Sequence, residues 1–105
     1  MIKINILGHD WKVYLHEEDT FCRIYGDSDA AFVLPQEREV HFNEAEFTLK
    51  AVKHELTHCY FTLLCVEAAQ LDLSQQEEVF CEMVAEHGDK LLRLARNLFK
   101  ELKNA

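Results

Sequence analysis

Apolar and polar residues alternate along the first part of the chain, in "MIKINIL" and again in "WKVYL". An alternation with a period of two residues is typical of strands that bury one face. The apolar positions on that face are Ile2, Ile4, Ile6, Trp11, Val13 and Leu15. The pattern therefore predicts two strands, with a turn between them at Gly8-His9-Asp10.

Three further apolar segments follow within the first 43 residues. "FCRIY" predicts a weaker third strand, which the polar cluster at 26–29 closes. "AAFVL" and "EVHFN" lie on either side of "PQER", a sequence typical of a turn, so they predict a second hairpin. The N-terminal half is thus expected to form a small antiparallel sheet.

The hydrophobic period changes to that of a helix after Asn43. Asn43 with Glu46, and later Ser74 with Glu77, have the spacing of capping boxes and predict two helix starts. The first helix should run to about residue 69, the chain should turn at 70–73, and Gly88 should end the second helical run. Apolar residues continue a helical stripe to the C-terminus at Leu91, Leu94, Ala95, Leu98 and Leu102. Strands followed by helices predict one α+β domain over 1–105, a sheet packed on two to three helices.

Charge and composition narrow the classes of function. The chain has 105 residues and a formal net charge of −8, which argues against a nucleic acid as partner. It has no apolar stretch of membrane-spanning length, and its N-terminus lacks the apolar segment of a secretory signal. The four cysteines show no CxxC motif and no framework spacing, so reduced thiols and a cytoplasmic location are expected.

The most specific chemical signal is "HELTH" at residues 54–58, an HExxH motif. Two histidines four apart on a helix project from one face, which suits two nitrogen ligands of a tetrahedral zinc ion. Glu55 lies about 100° further round the helix. It is therefore poorly placed to bind the same metal but well placed to act as general base on a metal-bound water.

The surroundings of the motif favour a metal over an accidental pattern. Three- and four-residue steps join Phe47, Ala51, His54, His58, Phe61 and Cys65 along one helix face. This face is apolar apart from the two imidazoles, which would need polar partners if they were buried there. Zinc ligation is therefore favoured over two core histidines that other polar groups satisfy.

A catalytic zinc site needs a third protein ligand and an open fourth position. The next acidic residues lie in "SQQEEVFCEMVAEHG". On a helix, one side is shared by Glu78, Cys81, Glu82 and Ala85. Glu78, one turn in from the Ser74 cap, is therefore the predicted third ligand, with an ordinary solvated glutamate as the alternative, and Glu77 is the expected capping acid. Glu82, one turn further on, is predicted to hold a ligating histidine through its second ring nitrogen, and it is also the alternative third ligand.

"HELTH" followed by "EEVFCE" resembles the glutamate zincins, or gluzincins, the superfamily of thermolysin. In that superfamily the third ligand is a glutamate about twenty residues after the second histidine, with another acid four residues further on. The resemblance implies that His54, His58 and Glu78 bind Zn²⁺, that Glu55 is the general base, and that Glu82 orients a ligand.

The chain also resembles the very small metallopeptidase-like proteins of phages and prophages that are related to the ImmA/IrrE group. "REVHFNEAEFTLKAVKHELTHCY" and "EEVFCEMVAEHG" carry this resemblance, which covers roughly residues 30–90. It implies a strand that ends just before the HExxH helix. Resemblance to zincins in general implies an edge strand in "AAFVL" or "EVHFN" that pairs with extended substrate, and a plain hairpin packed on the helix is an equally favoured alternative. The chain departs from the group in having no Ala-Asn-x-Phe-Ala signature and no counterpart of the lobe that shapes a substrate cleft in larger peptidases.

The other candidate residues carry weaker signals. His87, at the expected end of the second helix, is a candidate transition-state stabiliser, with Tyr25 and Tyr60 as less favoured oxyanion donors. His9, His16 and His41 have no metal-like spacing and are interpreted as ordinary strand residues. The predicted function is a zinc-dependent metallopeptidase acting on a peptide or protein substrate. The alternatives are a zinc-containing protein-binding module with weak or no catalysis and, last, an accidental motif in an acidic interaction protein.

Overall fold

A computed structural model describes residues 1–26, 30–64 and 71–104 of the chain. Its elements, in chain order, are β1 (Ile2–Ile6), β2 (His9–His16), α1 (Glu18–Tyr25), β3 (Ala31–Leu34), β4 (Glu39–Asn43), α2 (Leu49–Leu64) and α3 (Leu73–Lys103). The sheet lies in the N-terminal half, and the two longest helices follow it. The predicted α+β class is confirmed.

The four strands form one sheet in the order β1-β2-β4-β3. β1 with β2 and β3 with β4 are antiparallel hairpins, as the sequence predicted, but β2 and β4 pair in parallel. The sheet is therefore mixed rather than wholly antiparallel. The physical reason is the connection between β2 and β4, which contains α1 and β3 and is long enough for the crossover that parallel pairing requires.

The segment "FCRIY" is not a strand but the second half of the helix α1. Glu18 and Asp19 lie in its first turn and Arg23 in its last, which is the distribution of charge that a helix dipole favours. Phe21 and Tyr25 are four residues apart and share one helix face, with ring centroids 5.2 Å apart. The spacing of the two aromatic residues outweighs the strand propensity of the segment.

The first hairpin turns at Leu7-Gly8, one residue earlier than predicted. Both residues have positive φ, 51° at Leu7 and 84° at Gly8, which is the backbone of a type I′ turn. The Asn5 side chain braces the turn, since its oxygen accepts from the Gly8 amide and its nitrogen donates to Asp10.

The sheet has a different layer on each face. Val13, Val40 and Phe42 are fully buried in the main core, which also contains side chains of α2 and α3. Because side chains alternate along a strand, Tyr14, His16 and His41 lie on the opposite face, where α1 packs. The order of layers is therefore α1, sheet, then α2 with α3.

Both predicted capping boxes are wrong in detail. Asn43 accepts from the Ala45 amide, but this caps a short 3₁₀ turn at Glu44–Glu46, and α2 itself begins later, at Leu49. The Thr48 hydroxyl accepts from the Ala51 amide at this later start. At the start of α3 the capping box consists of Asp72 and Gln75 instead of Ser74 and Glu77, and the side chain of each accepts from the backbone amide of the other. In each case a neighbouring short polar side chain forms the cap.

Gly88 does not end a helix, because α3 runs unbroken through it for 31 residues. The stripe predicted for the C-terminus is largely buried, at Leu91, Ala95, Leu98 and Leu102. Burial of this stripe against the sheet and α2 keeps the helix continuous past the glycine.

Across the described ranges of the chain, no helix has the length and apolar character needed to cross a membrane.

Candidate metal centre

His54 and His58 lie close together on α2 with their rings nearly perpendicular. Their Nε2 atoms are 3.2 Å apart, and the ring planes meet at 74°. In a tetrahedral zinc site with Zn–N bonds of about 2.0–2.1 Å, two ligand nitrogens are about 3.3 Å apart. The same separation also allows one imidazole to donate to the other. The pair therefore has the spacing of two zinc ligands.

The prediction that the two imidazoles lie on a buried apolar face is wrong. The buried face of α2 is formed by Val52, Leu56, Cys59 and Tyr60, whereas His54 and His58 are exposed. The pair lies in a surface depression together with Thr57 and Phe61. Cys65, which was assigned to the same face, lies outside the described residues. The imidazoles can thus receive a ligand directly from solvent.

Glu55 lies beside the pair but not on the same line along the helix. It is half-buried and borders a second depression with His54, Thr48 and the start of β3. The Glu55 carboxylate also acts on the Cys59 thiol. Burial raises the pKa of that thiol to about 12, and the negative charge of Glu55 adds to the effect. A buried thiol of this kind is a poor competitor for a metal.

The two predicted acidic partners lie on another surface. Glu78 and Glu82 are exposed on α3 and line a cavity with Leu64, Glu86 and His87, whereas the histidine pair lines a different depression. Within the described ranges, no three side chains of His, Cys, Asp or Glu are gathered closely enough to hold a metal. The structure brings His54 and His58 together, with Glu55 next to His54 along α2, and the third ligand stays a prediction.

His87 is not at a helix end, because α3 continues well beyond it. The dipole of a helix C-terminus, which favours a cationic side chain, therefore does not account for a histidine at this position. Its Nδ1 is buried without a hydrogen-bond partner among the described residues, and its Nε2 is 3.8 Å from a carboxylate oxygen of Glu86. Its ring lies 5.9 Å from that of Tyr60, which is itself buried. The proposed role of His87 in a transition state stays a prediction.

Glu39, His41 and His16 form a hydrogen-bonded chain on the α1 side of the sheet, although the sequence had indicated no more than ordinary strand histidines at 16 and 41. His41 is 2.9 Å from a carboxylate oxygen of Glu39 through Nε2 and 2.8 Å from His16 Nε2 through Nδ1. If Glu39 is ionised, it accepts from His41 Nε2–H. For neutral imidazoles, His41 Nδ1 then accepts from His16 Nε2–H and leaves His16 Nδ1 as the basic end.

Aromatic rings enclose this chain. The ring of Tyr14 stacks on His41 at 4.6 Å and on His16 at 5.9 Å, while Tyr25 of α1 lies 5.3 Å from His41. Burial raises the pKa of Tyr25, and the charge of Glu39 adds to the effect. In the sequence, Tyr14 and His16 are two residues apart, as are Glu39 and His41, so each pair lies on one face of its strand. This spacing brings the four side chains together only because β2 and β4 are neighbours in the sheet.

The pKa of His16 is lowered by burial and, after that, by the charges of His41 and the N-terminal ammonium group. The groups that face it from the strands and from α1 are Tyr14, Glu39, His41 and Tyr25. Because the unfolded chain takes up this proton at a higher pH than the folded one, protonation favours unfolding. Stability from this group is complete above a pH of about 6.5 and falls as the pH drops toward the lowered pKa.

We therefore expect the free energy of unfolding to decrease as the pH falls from about 7 to about 5. In His16→Gln the decrease should be smaller, since glutamine does not titrate. Urea unfolding at a series of pH values measures this, with His9→Gln, in the same strand but outside the hydrogen-bonded chain, as the control. Identical pH profiles for wild type and His16→Gln would contradict the assignment.

No family model, curated protein or solved structure matches the chain.

Proposed function

We propose that this protein is a zinc-dependent metallopeptidase in which His54 and His58 bind the metal and Glu55 is the general base. The observation that carries the proposal is the 3.2 Å separation of the two Nε2 atoms, with Glu55 next to them on the same helix. Two exposed imidazoles at a distance that suits two ligands of one zinc ion support this proposal.

Glu78 is proposed as the third ligand, with Glu82 as its alternative or as the acceptor that holds a ligand histidine. Both lie on α3, which packs against α2.

Zinc bound at this site would polarise the scissile carbonyl and lower the pKa of its water to near 7. A carboxylate oxygen of Glu55 would take the proton from that water and deliver it to the leaving amine. His87 could donate from its ring to a developing oxyanion.

The substrate class follows from this chemistry: a peptide or protein whose amide bond reaches the exposed histidine pair. A cytoplasmic location is proposed as well. It is supported by Cys59 and Cys81, which are free thiols, as is usual in a reducing compartment.

A zinc-containing protein-binding module, catalytically weak or inactive, is the second candidate. One observation favours it: in the described part of the chain, Glu78 and the histidine pair line separate surfaces. A metal held by two histidines and solvent would then order the surface of α2 without completing a hydrolytic site.

The test is metal dependence of peptide cleavage. We expect the purified protein to bind about one zinc per chain, to cleave members of a peptide library, to lose activity with a chelator and to regain it when zinc is added. His58→Ala should lose both zinc and activity, whereas His9→Ala, in β2, should keep both. Wild type that binds zinc but cleaves nothing would support the binding module. Wild type that binds none would contradict both candidates.

A further inference from the structure

An exposed apolar ridge runs along the middle of α3, with one member at every fourth residue. Phe80, Val84 and Leu92 have 47%, 52% and 36% of their surface exposed, and Gly88 occupies the remaining position of the series. Residues four apart on a helix are neighbours, and such rows are the ridges through which helices pack on one another. These four residues are here called the α3 ridge. All four border one groove beside α2.

Gly88 interrupts the α3 ridge with a position that has no side chain. Glycine is one of the poorest helix formers, yet α3 runs through it for 31 residues. Packing does not require it, since an added Cβ would meet only Val84 Cγ1, at the ordinary distance of 3.6 Å. Its φ is not positive either, unlike those of Gly8 and Gly26. A glycine on an exposed helix face lets a second helix approach closely, because the distance between helix axes depends on the side chains at the contact.

Charge changes sign along α3. Residues 72–89 contain no Lys or Arg, and their acidic residues are Asp72, Glu77, Glu78, Glu82, Glu86 and Asp89. Residues 90–103 contain a single acid, Glu101, and their basic residues are Lys90, Arg93, Arg96, Lys100 and Lys103. The α3 ridge spans the boundary between the two halves. Its N-terminal end thus lies in an acidic surface and its C-terminal end in a basic one.

The α3 ridge is complementary in shape to a copy of itself turned end for end. Its four positions are evenly spaced about a point midway between Val84 and Gly88. With a twofold axis at that point, antiparallel pairing places Val84 opposite Gly88 of the second copy. It also places Phe80 opposite Leu92. A large side chain therefore meets a gap at the centre, and two large side chains meet at each end.

The charges favour the same arrangement. The exposed Glu77 lies three residues before the ridge and the exposed Arg96 four residues after it, so antiparallel pairing brings them near each other at both ends. Opposite charges across an interface fix its orientation. A wholly basic or wholly acidic partner would instead be repelled at one end of the ridge. A net charge of −8 disfavours nucleic acids and anionic membranes as occupants.

We propose that the α3 ridge binds a second copy of this chain, through antiparallel pairing of the two α3 helices. Three exposed side chains per copy make a small interface, so the dimer is reversible and dissociates on dilution. The proposal goes beyond the zinc-peptidase function and does not rest on it, since no member of the ridge is a proposed ligand or catalytic group.

Sedimentation equilibrium of the full chain over a range of concentrations tests the proposal. We expect the average mass to rise from one chain toward two as the concentration increases. Gly88→Leu fills the gap at the centre with a better helix former and should weaken dimerisation about tenfold or more, because overpacking a contact is unfavourable. Asn97→Leu is the matched control, at an exposed position of α3 about 180° round the helix from Gly88, and should dimerise as wild type does.

Reversal of charge at the two ends tests the antiparallel orientation. Glu77→Arg and Arg96→Glu each bring like charges together, so each variant alone should weaken dimerisation severalfold. The double variant restores opposite charges, has the net charge of wild type, and should dimerise nearly as wild type does. Arg23→Glu makes the same reversal at an exposed position of α1 and should leave dimerisation unchanged.

Three outcomes would overturn the proposal. The first is a chain that sediments as a monomer at every concentration, which would leave the ridge to a different protein. The second is a dimer that Gly88→Leu does not weaken, and the third is a double charge variant that dimerises no better than the single ones. Because none of these measurements involves zinc or peptide cleavage, the result is independent of the test of the proposed function.

Discussion

Glu55→Gln should abolish peptide cleavage and leave zinc binding intact. Glutamine has nearly the same shape as glutamate, but its amide cannot take a proton from water at neutral pH. General-base catalysis contributes about 10²- to 10⁴-fold, so we expect a loss of turnover of that size. The metal should remain, because Glu55 is offset from the two histidines round the helix and is not one of the proposed ligands.

The measurement is the initial rate on the best peptide of a library, together with zinc content by mass spectrometry. Glu101→Gln makes the same chemical change at an exposed position near the end of α3 and should have the activity of wild type. Activity of Glu55→Gln within a factor of about two of wild type would contradict the role of Glu55 as general base.

Phe42→Ala should destabilise the fold by about 3–5 kcal/mol, because it removes a fully buried ring from the core. The Phe42 ring packs edge-on against that of Phe47 and lies between the sheet and the two long helices. A domain of this size has about 5–15 kcal/mol of stability in total, so this loss is a large fraction of it.

Urea unfolding followed by circular dichroism measures the effect. The matched control is Phe80→Ala, since Phe80 is 47% exposed on α3, and it should change stability by no more than about 0.5 kcal/mol. If the two variants lost similar amounts of stability, the assignment of the core to the face shared by the sheet, α2 and α3 would be contradicted.

Periodicity predicted the parts of the fold that local sequence controls. The alternation in β1 and β2, the hairpin of β3 and β4, and the helical run through "HELTH" are confirmed, because each depends on residues a few positions apart. α1 was mistaken for a strand, since in eight residues the helical spacing of Phe21 and Tyr25 competes with a β-like composition. The parallel pairing of β2 with β4 depends on contacts distant in sequence, which no local pattern contains.

In the candidate site, too, the features that depend on nearby residues were predictable and those that depend on contacts distant in sequence were not. The approach of His54 to His58 follows from helix geometry alone and was predicted. Which side of α2 is buried depends on where the sheet and α3 pack, so the solvent exposure of the pair was not foreseen. The chain of Glu39, His41 and His16 was missed for a related reason, since it exists only because two strands distant in sequence are neighbours.

X-ray absorption at the zinc edge of the zinc-loaded protein tests the central claim most directly. The account predicts one zinc per chain with a first shell of nitrogen and oxygen only, at about 2.0–2.2 Å, and two imidazoles in the outer scattering. His54→Ala should remove the zinc. A sulfur shell at about 2.3 Å, retained in His54→Ala, would place the metal on cysteine thiolates and contradict a zinc site at His54 and His58.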